Sequence, residues 1–237
     1  MRVLVTRPEP GGKRTAERLA ELGHDPALMP LFETIVTATV DDLPPVGGIG
    51  GLIATSARAF AMFDTADVIE TGLGDVPIHA VGPATAQAAN EAGFRDVRDG
   101  GGTAQALSKT LSEAWKSRLR NGKPTLLVYL AGKSRTPVIE AALQVENIDF
   151  SVLECYQMNE ISYSTDILKS DILSPPPDVV LLYSANAVRR FLALVNTKDL
   201  DKALDLTRFV CLSAAISEEL PQNWRGRAVA AEHPDED

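Results

Sequence analysis

Hydroxyl, glycine and arginine residues recur in six short loops, each of which lies between an apolar run and a helical pattern. Such a loop is typical of the junction between a parallel β-strand and the helix that follows it. Backbone N–H groups and hydroxyls then point out of the loop, with the positive end of the helix dipole behind them, and this arrangement favours anions. The loops are Arg7 with Gly11–Arg14, Thr55–Ser56, Gly82–Thr85, Gly132–Thr136, Ser184–Asn186 and Ser213–Ser217.

Taken singly, a serine or threonine in such a loop more often caps its helix than binds a ligand, by roughly two to one. Open α/β sheets, however, place their ligands at the carboxyl ends of the strands, where all six loops are expected. Six such loops facing one cleft predict a site for a large, multiply carboxylated molecule. That site would need no cofactor.

Motifs for nucleotide, metal and acyl-transfer chemistry are absent from the sequence. Gly11-Gly12-Lys13 and Gly132-Lys133-Ser134 lack the first glycine of a Walker loop, and the glycine-rich turns lack a dinucleotide fingerprint. The three histidines share no ligand spacing with the cysteines, so a metal site is not expected. Neither Ser56 nor Ser184 lies in a nucleophile elbow, which argues against an acyl-transfer triad.

The elements that position these loops occur twice, about 125 residues apart. The matching pairs of segments are 3–33 with 126–157, 52–60 with 181–191, and 80–86 with 210–217. Each match joins an apolar run to a helical pattern, so strand-to-helix units have been copied. Strands that alternate with helices favour parallel sheets covered on both faces. The predicted fold class is α/β, with two similar parallel-sheet lobes and a cleft between them.

Two β-branched, extended segments, 32–40 and 150–158, lie at matched places in the two copies. They could pair as a two-stranded ribbon between the lobes, with the chain crossing from one lobe to the other at each segment. The alternative is two tandem domains divided near residues 121–124. Periodicity does not distinguish these arrangements.

Charge and composition exclude several classes of partner. The net charge is −9, from 23 basic and 32 acidic residues, and no basic stripe is interleaved with aromatics, so nucleic acid is not an expected partner. The longest apolar runs are about five residues, against the ~20 that a bilayer requires. Cys155 and Cys211 lie in apolar runs and no signal peptide is recognised, which predicts a reduced, cytoplasmic compartment. Each lobe's apolar pattern is accounted for internally, so we expect a monomer.

Several segments of the chain, in their order and spacing, match a known family. They are VLVTRP at 3–8, the segment Thr55–Phe60, VGPATA at 81–86, LAGKSR at 130–135, the pair Cys155-Tyr156, and YSANAVRRF at 183–191. Through them the whole chain resembles the uroporphyrinogen-III synthases. The resemblance implies two flavodoxin-like lobes joined by a two-stranded β-ladder. It implies a first domain of 1–35 and 162–237, a linker of 36–40 and 151–161, and a second domain of 41–150.

The resemblance also implies a reaction, the cyclodehydration of the linear tetrapyrrole hydroxymethylbilane to uroporphyrinogen III. Ring D is inverted through a spiro intermediate, as part of tetrapyrrole biosynthesis. Loss of the terminal hydroxyl as water gives an azafulvene that can cyclise unaided to the uninverted isomer. The protein must therefore chiefly hold the substrate in a shape that disfavours that route. A transient handover of the substrate from hydroxymethylbilane synthase is left open.

The resemblance also implies roles for individual residues, by the positions that they match in the family. Tyr156 matches the tyrosine proposed as the acid that assists the departure of water, because a phenol is protonated at neutral pH and can donate. Packing of this aromatic ring within the ladder is an equally good interpretation. The resemblance implies that acetate and propionate groups are bound by Arg7, Ser56, Gly82, Thr85, Ser184 and Ser213.

One loop departs from the family pattern. Where family members carry Gly-x-x-Thr-Ala, this chain has Ser213-Ala214-Ala215-Ile216-Ser217, and the side chain of Ile216 cannot donate a hydrogen bond. Two alternatives to the synthase therefore stay open. One is a non-catalytic, two-lobed protein that binds an anionic metabolite, and the other is a degenerate paralogue of the synthase.

Overall fold

The fold is known from a computed structural model. It describes residues 1–103, 106–107, 109–112, 115, 121–122, 126–196 and 200–232. The chain divides into two compact units. Unit 1 consists of Met1–Glu33 and Asn159–Asp237, and unit 2 consists of Thr34–Met158.

Strands and helices alternate along most of the chain. The strands are β1 (Arg2–Val5), β2 (Asp25–Leu28), β3 (Phe32–Val36), β4 (Ile49–Ala54), β5 (Ile78–Ala80), β6 (Val97–Asp99), β7 (Leu126–Gly132), β8 (Phe150–Glu160), β9 (Val179–Leu182), β10 (Arg208–Cys211) and β11 (Ala228–Ala230). The α-helices are α1 (Gly11–Glu21), α2 (Thr65–Glu70), α3 (Pro83–Glu91), α4 (Val138–Val145), α5 (Thr165–Ile167), α6 (Ala185–Asn196), α7 (Ala214–Ser217) and α8 (Gln222–Arg225). Residues 106–107, 109–112 and 115 are also helical.

Unit 1 is built on a parallel sheet with the strand order β2-β1-β9-β10-β11. In the chain order of this unit the sheet reads 2-1-3-4-5, which is the flavodoxin-like order. β1 is buried because its apolar residues sit between β2 and β9, with Val3 opposite both Pro26 and Val179. Pro26 is tolerated because β2 is an edge strand, where a missing N–H costs no ladder bond.

Unit 2 has the sheet order β3-β8-β7-β4-β5-β6. Its core strands, β8-β7-β4-β5-β6, repeat the order of unit 1, with β7 in the place of β1 and β4 in the place of β9. Neighbouring strands within this group pair in parallel, as in unit 1. The two-lobed α/β fold predicted from the duplication is therefore confirmed, and the second copy of the sheet uses the strands in a permuted chain order.

The paired segments β3 and β8 differ in extent from the predicted linker of 36–40 and 151–161. β3 ends at Val36, and a short 3₁₀ turn at 40–42 follows it. β8 is not a separate ribbon, because its first half pairs with β7 over 150–156. Phe150 and Val152 pack against a core cluster of unit 2, which explains why this part of the strand belongs to the sheet.

Each unit has its own buried apolar core. In unit 1, Phe191, Phe209 and Trp224 are buried, and the rings of the last two stack at 4.8 Å. In unit 2 the strands alternate, so that Leu52 and Val128 face one cluster while Ile53 and Leu127 face another. Each fully buried side chain of this size contributes roughly 1.5–3 kcal/mol to folding.

The described part of the chain contains no helix long and apolar enough to cross a membrane. Its histidine, cysteine and acidic residues form no cluster that could hold a metal ion. Cys155 and Cys211 are free, buried thiols, and burial raises the pKa of each to about 11.

Candidate functional site

A cavity of about 560 Å³ opens at the carboxyl ends of β4 and β7 in unit 2. These strands are the neighbours at which the strand order of the sheet reverses, the place where open α/β sheets bind ligands. The N-terminus of α4 borders the cavity through Val138 and Ile139. The other lining residues are Thr55, Ser56, Arg58, Val81, Tyr129, Ser134, Arg135, Thr136 and Tyr156.

Tyr156 reaches this cavity because β8 has an irregular register. Ala131 of β7 pairs with Glu154, but the next residue, Gly132, pairs with Tyr156. The extra residue, Cys155, is a β-bulge, which re-aims the side chains that follow it. Cys155 and Tyr156 consequently both pack against the same core cluster, although adjacent strand residues normally face opposite ways.

Gly132 leaves the space that the ring of Tyr156 occupies. A Cβ atom on Gly132 would lie 2.8 Å from Cζ and 3.0 Å from Oη of Tyr156. The backbone N–H of Lys133 donates to the carbonyl of Tyr156 at 2.9 Å and ties the loop to the strand. The backbone hydrogen bond of Tyr156 and the absence of a side chain at Gly132 therefore fix the position of the Tyr156 phenol in the cavity wall.

Arg135 connects three elements around the cavity. Its Nε donates to Glu140 of α4 at 2.7 Å, and its Nη1 donates to Glu154 of β8 at 2.8 Å and to the carbonyl of Gly132 at 3.0 Å. The side chains of Arg135 and Glu140 are only 23% and 15% exposed, so this pair is screened less by solvent than a surface pair. Arg135 holds the loop 132–136 in place, and its charge is already balanced by Glu140 and Glu154.

Two hydroxyls meet at the inner wall of the cavity. Oη of Tyr129, on β7, lies 3.1 Å from Oγ1 of Thr55, which follows β4. Tyr129 is 2% exposed, and burial raises the pKa of its phenol, an effect that the hydrogen bond with Thr55 opposes. The negative charge of Glu140 also raises the pKa of Tyr129.

Of the residues expected to bind substrate, Ser56 lies in this cavity together with Tyr156. Its side chain accepts a hydrogen bond from the N–H of Arg58 at 3.3 Å and caps the 3₁₀ helix Ala57–Met62. An α-helix was expected after Ser56, and the observed helix is the tighter form. Gly82 caps α3 from an extended conformation, and Thr85 in the first turn of α3 is only 7% exposed. Neither Gly82 nor Thr85 lines the cavity, although Val81, beside Gly82, does.

The remaining expected residues lie in unit 1. The guanidinium of Arg7 sits 5.0 Å from the ring centroid of Tyr183, and its Nη1 donates to Thr15 at 3.4 Å. Gly11 makes room for it, since a Cβ there would lie 2.6 Å from Nε of Arg7. Ser184 follows Tyr183 and caps α6, because its hydroxyl accepts from the N–H of Ala187 at 3.1 Å.

Ser213 and Ile216 lie in the loop that departs from the family pattern. Ser213 precedes α7, and its side chain makes no capping hydrogen bond. Ile216 packs, partly buried, against the core cluster of unit 1. The residue that cannot donate a hydrogen bond is thus used for packing.

Sequence reasoning missed Tyr129, Arg58 and Arg135 as functional candidates. Arg135 lies within LAGKSR, one residue from the end of the loop 132–136 that was singled out for its glycine and hydroxyls. Arg58 lies two residues after Ser56. Tyr129 had no signal of its own, because it stands in the middle of a continuous apolar strand.

A family model described as "Uroporphyrinogen-III synthase HemD" matches residues 13–237. The chain belongs to this family. A curated relative, the porphyrin biosynthesis protein HemD of Ruminiclostridium josui, is 23% identical over 244 aligned residues, which cover 98% of this chain and 45% of that protein. The chain therefore spans less than half the length of that relative.

Solved structures of family members share the fold. Uroporphyrinogen-III synthetase from Helicobacter pylori gives a TM-score of 0.59 at 17% identity, with 99% of this chain and 93% of that chain covered. A mutant uroporphyrinogen III synthase from the extremely thermophilic bacterium Thermus thermophilus gives a TM-score of 0.51 at 19% identity, with 98% and 93% covered. At these identities the likeness establishes the fold.

Proposed function

We propose that this chain is a uroporphyrinogen-III synthase, which closes hydroxymethylbilane to uroporphyrinogen III with inversion of ring D. Family membership and the fold support the reaction class. The observation that carries the proposal is the phenol of Tyr156, held over Gly132 in a cavity that also contains two arginines and several hydroxyls. Such a cavity combines a proton donor with groups that bind carboxylates.

The charge of the protein makes local donors necessary. A substrate with several carboxylates is repelled at long range by a net charge of −9. Arg58 and the N-terminus of α4 oppose that repulsion within the cavity, since cations and helix N-termini favour anions at short range. In unit 1 we assign Arg7 and Ser184, which follow β1 and β9, as further donors to acetate and propionate groups.

Tyr156 acts as the general acid in the proposed mechanism. Its phenol gives a proton to the terminal hydroxyl of the substrate, the carbon–oxygen bond breaks, and water and a protonated azafulvene result. The substituted carbon of ring D attacks the azafulvene carbon and gives the spiro intermediate, which opens and recloses. When the last pyrrole ring regains its aromaticity it releases one proton, which returns to the phenolate of Tyr156.

Product analysis tests the proposal. The full chain is incubated with freshly generated hydroxymethylbilane, and the oxidised products are separated into type I and type III isomers. A type III fraction that rises with protein concentration is expected. Formation of type I alone, at the uncatalysed rate, would overturn the enzyme assignment. If the chain then still bound the substrate, it would instead be the binding protein or the degenerate paralogue.

Tyr156→Phe tests the role of the phenol without removing the ring that packs against Gly132. We expect the rate of type III formation to fall by about 100-fold or more, the range for loss of a general acid. The urea midpoint should change little, because the aromatic packing is kept. A Tyr156→Phe protein with the wild-type rate would remove Tyr156 from the mechanism.

A further inference from the structure

The hydroxyls of Tyr129 and Thr55 form a pair with one hydrogen to spare. Each hydroxyl carries a single proton, and the bond between them, at 3.1 Å, uses one of the two. Among the described residues, neither hydroxyl has another hydrogen-bond partner. Whichever atom donates within the pair, the other keeps a proton that can be donated to a ligand in the cavity.

The sheet fixes the position of this pair. Tyr129 lies opposite Ile53 in the parallel ladder between β7 and β4, and Thr55 lies two residues beyond Ile53 on the same face. The ring of Tyr129 is buried in the same cluster as Ile53 and Ile139, so its hydroxyl has little freedom to turn away. Thr55 follows the strand directly. The paired strands β4 and β7 therefore fix the position of the hydroxyl that can donate into the cavity.

The same cavity contains Tyr156, the acid of the proposed mechanism. A single acid can protonate a leaving hydroxyl efficiently only if the oxygen is held in line with it. A second donor on that oxygen would occupy one of its two lone pairs and leave the other directed at Tyr156. Tyr129 and Thr55 place two hydroxyls 3.1 Å apart in the wall of this cavity.

Resting on the proposed function, we propose that Tyr129 and Thr55 act as one hydrogen-bond donor that orients the leaving hydroxyl of the substrate toward Tyr156. No proton is transferred to or from the pair in this role. Tyr129 and Thr55 are positioning residues, and the proton that leaves in water comes from Tyr156.

Variants of both residues test the pair. Tyr129→Phe and Thr55→Val each remove one hydroxyl with little change in shape, and each should lower kcat for type III formation about tenfold while changing KM less than about threefold. Thr55→Ser keeps the hydroxyl and should recover most of the rate. The matched control is Tyr163→Phe, which removes a half-buried phenol that donates to the carbonyl of Pro30 in unit 1. Tyr163→Phe should keep the wild-type kcat.

A double variant separates positioning from a general loss of structure. The pair acts through Tyr156, and the effects of residues that act as a unit are not additive. Tyr129→Phe should therefore lower kcat for type III formation by less than about threefold when it is added to Tyr156→Phe. An equal loss in both backgrounds, or a wild-type kcat for Tyr129→Phe and Thr55→Val, overturns the inference. A wild-type chain that forms no type III product refutes the proposed function instead, so the two failures are distinguishable.

Discussion

Gly132→Ala offers a direct test of how Tyr156 is placed. The new Cβ atom would lie 2.8 Å from Cζ, 2.9 Å from Cε2 and 3.0 Å from Oη of Tyr156. Ordinary contact begins at 3.4 Å, so the end of the ring must move by about 0.6 Å. The displaced atoms belong to the end of a side chain, and we therefore expect the free energy of unfolding to fall by only about 1 kcal/mol.

The catalytic effect should be larger than the effect on stability. A misplacement of about 1 Å can cost roughly 100-fold in rate, so a shift of ~0.6 Å corresponds to a loss of about tenfold. Initial rates of type III formation, with urea unfolding curves for the same preparations, measure both quantities. Gly47→Ala is the matched control, because a Cβ at Gly47 meets no atom within 4 Å.

Gly132→Ala should act on the rate through the phenol of Tyr156. In a Tyr156→Phe background the phenol oxygen is already gone, so Gly132→Ala should lower the rate by less than about twofold. A wild-type rate for Gly132→Ala alone would show that the placement of the ring over Gly132 has no catalytic role. A loss of more than about 3 kcal/mol in stability would show that the backbone, and not the ring, gives way.

Four other perturbations have defined outcomes. Ile216→Ala should lower the free energy of unfolding of unit 1 by about 1–2 kcal/mol, less than for a fully buried isoleucine, and an unchanged urea curve would contradict its packing role. Cys155 and Cys211 should resist thiol reagents at pH 8 until urea is added, because a pKa of about 11 leaves about 0.1% thiolate; immediate labelling of the folded chain would refute their burial. Folding raises the pKa of both thiols from 9.0, so the stability that the two thiols contribute is present below pH 9 and is lost as the pH rises toward about 11. Urea unfolding curves across this pH range would check this trend. Arg135→Gln should lower the free energy of unfolding by about 2 kcal/mol, because it leaves the largely buried carboxylate of Glu140 unpaired. Arg95→Gln, in an exposed pair, should lower it by less than about 0.5 kcal/mol in the same urea titration. Equal losses would contradict the assigned difference in burial.

The central strands of the fold could be predicted from sequence, but the edge strands β2 and β6 could not. β4, β7 and β9 are short apolar runs, because a strand buried on both faces needs apolar residues throughout. β2 and β6 contain Pro26 and Arg98, which are permitted where one side of the strand is open. β2 and β6 are strands because they pair with β1 and β5, and not because of their own composition. The duplication revealed the two sheets, because each copied segment kept its order.

The loops of the site were predictable, but the side chains that meet in it were only partly so. Ser56 was predicted from its position between a buried strand and a helix, and it lies in the cavity. Tyr129 depends on the register of β7 against β4, which places its hydroxyl beside Thr55, and register is a property of paired strands. The bulge at Cys155 has no sequence signal, yet it decides which way Tyr156 points.

The permuted strand order has a consequence for the order in which the chain becomes structured. Unit 2 is one continuous stretch, whereas unit 1 needs both ends of the chain. Val3 pairs with Val179 and Leu52 pairs with Val128, so the first pairing closes more than twice as much chain. Longer closures are entropically costlier and slower to form. We expect β4 and β7 to gain protection from hydrogen exchange before β1 and β9 during refolding, and simultaneous protection of all four would contradict this. On the ribosome, the sheet that carries Tyr156 can be complete while β1 still lacks β9.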